Sequence, residues 1–163
     1  MSIKVAASVR VAAANSGALY AQMLAGATRP ISVREITVVT RTAVATEIGL
    51  QRSFSVGTAS AGNVATGLAL RVPNQSSVQG SVEIGWGTNP TGVATGAHGY
   101  LRREVVGAAT GTRIRLWTED DTPITVEPTG MTGMGLLLVN VGSAAGAALD
   151  VHVVWEEGPR SDC

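Results

Sequence analysis

Chemistry in this 163-residue chain would have to come from few side chains: His98, His152, Cys163, the acidic run Glu119-Asp120-Asp121 and the pair Glu156-Glu157. A zinc centre needs three or four nitrogen, sulfur or oxygen donors around one point. The two histidines lie in unlike settings, one in the loop TGAHGY and one in LDVHVVWEE, and would have to borrow carboxylates from the fold. Both are read as solvated, His98 in its loop and His152 on the outer face of a strand. No metal and no cofactor is expected. A serine or cysteine nucleophile needs a nucleophile elbow or an activated thiol. The chain has no G-x-S-x-G run, and Cys163 is its last residue. The expectation is a protein that is not an enzyme.

The acidic run could offer hard oxygens to calcium, but it lacks the spaced ligands and central glycine of an EF-hand loop. It is read as a polar turn between TRIRLWT and PITVEP. Glu156 and Glu157 cannot act as a paired acid and base, because neighbours on a strand face opposite sides. They are expected to end a strand in solvent. The glycines of GMTGMG at 130–135 have neither the strand-to-helix setting of a dinucleotide fold nor the lysine of a P-loop. Arg102, Arg103, Arg113 and Arg115 make at most a modest basic surface. With twelve basic and twelve acidic residues and a net charge of zero, nucleic acid is not an expected partner.

The elements that would hold these residues are legible from their punctuation. Short β-branched runs recur between Gly, Pro, Asn and Thr, which is the pattern of an antiparallel sandwich or barrel. Candidate strands cover 3–13, 31–41, 46–57, 81–86, 100–106, 112–118, 123–128, 135–141 and 148–157. The last is the clearest: Leu149, Val151, Val153 and Trp155 share one side, and Asp150, His152, Val154 and Glu156 the other. Only SGALYAQMLAG at 16–26 carries an apolar spacing that fits a short helix, with Ser16 as its N-cap and Gly26 as its stop. The expected organisation is an extended N-terminal arm over 1–28, a β-sandwich over 29–158 and a tail over 159–163.

The longest nearly apolar run, MGLLLVNV at 134–141, falls far short of the ~20 residues that span a bilayer, so no membrane partner is expected. Ser8 and Arg10 interrupt the apolar stretch that a signal peptide would need, and Asn74-Gln75-Ser76 is then a chance sequon. One cysteine leaves no internal disulfide. Six aromatic residues give a lean core of Val, Leu, Ile and Ala, for which association with neighbours is a plausible supplement. Ile3, Val5, Val9 and Val11 alternate along residues 1–15, and a free arm of that kind could add a strand to a neighbour's sheet edge. These four residues and the loop over 85–99 are the expected contact regions. A competing expectation is a carbohydrate- or receptor-binding sandwich in which Trp86 and Tyr100 stack on sugar rings. A third, an enzyme with a metal at His98 or His152, would be dismissed by metal analysis.

Three stretches carry a resemblance: RTAVATEIGLQRSFSVGTASAG (41–62), LWTEDDTPITVEPTGMTGMGLLLVNVGSAAGAALDVHVVWEE (116–157) and the N-terminal arm. Together they resemble small β-sandwich virion proteins of tailed bacteriophages. The middle stretch carries most of it, with a Pro-initiated strand, a glycine-rich turn, an apolar strand ending in Val-Asn, a small-residue loop and a closing strand ending in Trp-Glu. The resemblance implies an all-β, jelly-roll-like subunit that assembles on the particle, often as a homotrimer. It would serve as a capsid decoration (cement) protein or a head or tail accessory, with the major capsid protein or other virion proteins as partners. It would be made in the host cytoplasm and end in the virion, and it inherits no catalytic residues.

Overall fold

The computed structural model describes residues 3–70, 78–92, 99–128 and 135–158, and within them the alternation of LDVHVVWEE is that of a strand. Leu149, Val151, Val153 and Trp155 are buried while His152 between them is exposed. Fourteen strands follow in chain order among the described residues: β1 (Ile3–Val11), β2 (Leu19–Leu24), β3 (Ile31–Thr40), β4 (Thr46–Arg52), β5 (Thr58–Ala59), β6 (Val64–Thr66), β7 (Leu68–Ala69), β8 (Ser81–Glu83), β9 (Trp86–Thr88), β10 (Tyr100–Val106), β11 (Arg113–Trp117), β12 (Ile124–Val126), β13 (Leu136–Asn140) and β14 (Leu149–Glu157). There is no helix among these residues, so the all-β, sandwich-like class read from the sequence is the class observed.

One sheet runs β11-β3-β14-β1-β7, with β12 also pairing β3, and the other runs β10-β4-β13-β2-β8-β6. All pairings are antiparallel. Their inner faces meet in one core of Val, Leu and Ile around Tyr20, Met23 and Trp155. A two-stranded ribbon, β5-β9, stands apart from both sheets.

The N-terminal segment is not a free arm. β1 pairs β14 along its whole length, from Ile3 opposite Glu157 to Val11 opposite Leu149, and pairs β7 on its other side. Val5, Val9 and Val11 lie in the core and Ile3 packs against it, so the alternation that suggested an edge-adding arm is that of an interior strand. The domain boundary expected near residue 28 therefore has no counterpart, since β1 and β2 belong to the two sheets.

The short helix expected over 16–26 is β2. Its spacing mimicked a helix because both of its faces are covered. Tyr20, Ala21 and Met23 face the core, while Gln22, equally buried, lies under the segment 53–57. Leu137 and Val139 on β13 share this outer face and are also buried. Where both faces of a strand are covered, the period-two signal disappears.

Glu157 corrects a second expectation. Its side chain is fully buried, on the Trp155 side of β14. Its carboxylate accepts hydrogen bonds from the backbone N–H of Gln79 (2.9 Å) and Gly80 (2.6 Å) and from the indole N–H of Trp155 (3.0 Å). Buried charge is tolerable when several donors converge on it. Glu156, on the opposite face, pairs with Arg34 at 2.9 Å.

Candidate functional site

The outer face of the second sheet is built by a polar strap. Gln22 on β2 donates through Nε2 to Ser53 Oγ (3.0 Å) and the Ser55 carbonyl (2.9 Å), and its Oε1 accepts from Gly57 N (3.1 Å). Ser53 Oγ also accepts from Gly135 N. These bonds hold 53–57 against the sheet. Segment 90–92 closes over Gln51 from the same side, with the Phe54 N–H donating to the Thr91 carbonyl at 2.7 Å. Gly85, at φ 64°, turns the chain from β8 into β9 in the left-handed region that a glycine enters without strain. That turn sets Trp86 over Gly57, where a Cβ would meet the indole and the Pro90 ring.

Two grooves open where this strap meets the loop before β2. One, of about 600 Å³, is lined by Tyr100, Gln51, Asn89, Pro90, Ser16 and Leu19 among others. The second, of about 520 Å³, is lined by Trp86, Asn15, Asn63, Asn89, Leu19 and residues 11–14 among others. Ala18, Leu19 and Asn89 line both, so the two adjoin. Each volume lies within the range of about 300–1,000 Å³ typical of small-ligand sites.

Among the described residues no Asp or Glu lines either groove, and the arginine at each is already paired. Arg103 bonds Glu47 and lies 5.4 Å from the centre of the Tyr100 ring. Arg10 Nε donates to Asp150 Oδ1 at 2.9 Å, and Arg41 approaches the same carboxylate at 3.6 Å. The Arg10 hydrogen bond holds the Asp150 carboxyl below the usual carboxylate range, with smaller contributions from the Arg41 and His152 charges. Behind Trp86, burial pushes the Glu83 carboxyl above its ordinary range. The nearby indole N–H favours its charged form, yet neither Glu83 Oε2 nor Trp86 Nε1 closes a hydrogen bond among the described residues.

Of the residues singled out in the sequence, Trp86 and Tyr100 are brought to adjoining grooves, whereas Val5, Val9 and Val11 are core and Ile3 is half-buried beside it. His152 lies on the outer face of the first sheet between Ser8 and Thr37. His98, Cys163 and the sequon at 74–76 lie outside the described residues. The acidic run is a turn: Asp121 accepts from Thr118 N (2.9 Å) and pairs with Arg102 (3.3 Å), while Glu119 bonds Lys4. Among the described residues no three His, Cys, Asp or Glu gather as metal ligands. Asn15, Asn63 and Gln51 escaped sequence reasoning because they come from separate loops and strands that only tertiary packing joins.

Comparison of the chain with protein-family models, with curated proteins and with solved structures gave no match.

Proposed function

We propose that this protein is a non-enzymatic structural component of a tailed-phage particle, a decoration protein that binds and stabilises neighbouring capsid subunits. The observation that carries this reading is the strand order. The eight strands of five residues or more divide into β11-β3-β14-β1 and β10-β4-β13-β2. In chain order they pass from one sheet to the other at every step except β4 to β10, which pair within one sheet, and this order supports reading the sandwich as jelly-roll-like, an arrangement common among viral capsid domains. The function is argued by analogy from that arrangement together with the surface.

The surface offers apolar contact regions at both flanks. Leu68 is 68% exposed, two residues from exposed Leu70 and four from Val64, and Val105 is 67% exposed on the edge strand β10, on the same face as Leu101 with Arg103 between them. Large exposed apolar side chains that group together mark association surfaces. These replace the N-terminal residues as the contact candidates, and a closed homotrimer suits a position of local three-fold symmetry. Light scattering after size exclusion should give three times the 16.6 kDa chain mass, and the protein should co-sediment with heads of the parent phage assembled without it. Leu68→Glu and Val105→Glu should weaken both without lowering the melting temperature. A monomer that leaves such heads in the supernatant would overturn the reading.

A further inference from the structure

We propose that the two adjoining grooves form one binding site for a neutral oligosaccharide, with Trp86 and Tyr100 as platforms for successive sugar rings. Sugar faces are apolar C–H surfaces edged by hydroxyls, and they stack on aromatic rings in partly desolvated clefts. Trp86 lines one groove and Tyr100 the other, so a chain of more than one ring is needed to reach both. Neither ring is loose. Trp86 is seated over Gly57 with its N–H buried, which leaves the ring itself to line the groove; Tyr100 packs over Gly49.

The polar lining matches the same ligand. A hydroxyl both donates and accepts, and a planar amide offers one group of each kind. Asn15 and Asn89 are exposed and make no side-chain hydrogen bond among the described residues, and Asn89 stands where the two grooves meet. Asn63 Nδ2 donates to the Gly85 carbonyl at 3.2 Å, which fixes the amide beside Trp86. Charge selects the neutral class. An acidic sugar would need an unpaired cation, and Arg10 and Arg103 are both held by carboxylates.

The substituted groove residues differ from the flank residues assigned to assembly, but Asn63 and Tyr100 are chain neighbours of Val64 and Leu101, so native mass and head binding are measured beside sugar binding to keep the two readings distinguishable. The full-length protein is applied to a printed array of neutral and acidic bacterial glycans, and the strongest neutral oligosaccharide is then titrated calorimetrically. Trp86→Ala, Tyr100→Ala and Asn89→Ala should each weaken binding at least about tenfold, a loss of about 1.4 kcal/mol. Native mass and head binding should stay unchanged. Asn89 is exposed at a loop, so its variant keeps the fold if Trp86→Ala does not. An array with no neutral glycan above background, binding confined to acidic chains, or titrations that Tyr100→Ala and Asn89→Ala leave unaltered would overturn the proposal.

Discussion

Removing residues 1–12 should unfold the protein. The segment supplies β1, whose nine residues pair with nine of β14. Val5, Val9 and Val11 are buried from it, at 0%, 8% and 8% exposure. Each buried valine contributes roughly 1.5–3 kcal/mol, so the three together contribute about 5–9 kcal/mol before any backbone hydrogen bond is counted. A domain of this size has a total stability of about 5–15 kcal/mol, so the valines alone account for between about a third and all of it, and the lost nine-residue pairing with β14 adds to that. It also uncovers Trp155, which lies opposite Val5 and is fully buried. Urea titration followed by far-ultraviolet circular dichroism and tryptophan emission provides the assay. The truncated chain should show no cooperative transition and an emission maximum shifted to the red. A truncated protein with the full-length midpoint and slope would refute the placement of β1 and restore a dispensable arm.

Three further substitutions probe the structure elsewhere. Glu157→Ala leaves the N–H groups of Gln79, Gly80 and Trp155 buried without their acceptor; with each such orphan costing about 1–3 kcal/mol, urea unfolding should show a loss of at least about 2 kcal/mol, and an unchanged midpoint would contradict the buried carboxylate. Gly67→Ala places a methyl against Val5 Cγ1 and the Trp155 ring edge; overpacking of this kind costs about 1–3 kcal/mol, read as a lower melting temperature, and a neutral result would mean that the 64–69 corner yields freely. Glu83 has a raised carboxyl pKa, so the folded state holds its proton more tightly than the unfolded state does. Its presence lowers stability as pH rises from the ordinary carboxylate range through the raised value. Glu83→Gln should therefore raise the melting temperature at pH 7 and leave it unchanged near pH 3, and an equal shift at both would rule out ionisation as the cause.

The sequence made the long strands of both sheets legible except β2, and that exception has a physical reason. β14 and β1 have one face in the core and one toward solvent, and their alternation is plain. β2 and β13 are covered on both faces, and β2 was accordingly misread as a helix. Glu157 was within reach of the same alternation: two residues beyond Trp155, it had to share the core face, but a terminal glutamate pair reads as solvated unless its donors are known. Those donors come from residues 79 and 80, far away in sequence. The grooves were half visible. Aromatic type and loop setting pointed to Trp86 and Tyr100, whereas the amides that join them are scattered from Asn15 to Asn89 and carry no local signature.

The pairing of β1 with β14 also determines how the molecule bears tension. Ile3 lies opposite Glu157, so handles attached at these two residues pull on the same end of one antiparallel ladder. Load applied there concentrates on the first rung and opens the strands one pair at a time, as a zipper does, instead of shearing all nine together. The Glu157 carboxylate, tied to Gln79 and Gly80, sits at that first rung and acts as its stop. A cargo fused at both points would thus meet little resistance, whereas force entering across the strands, through the apolar flanks, would be shared by whole sheets.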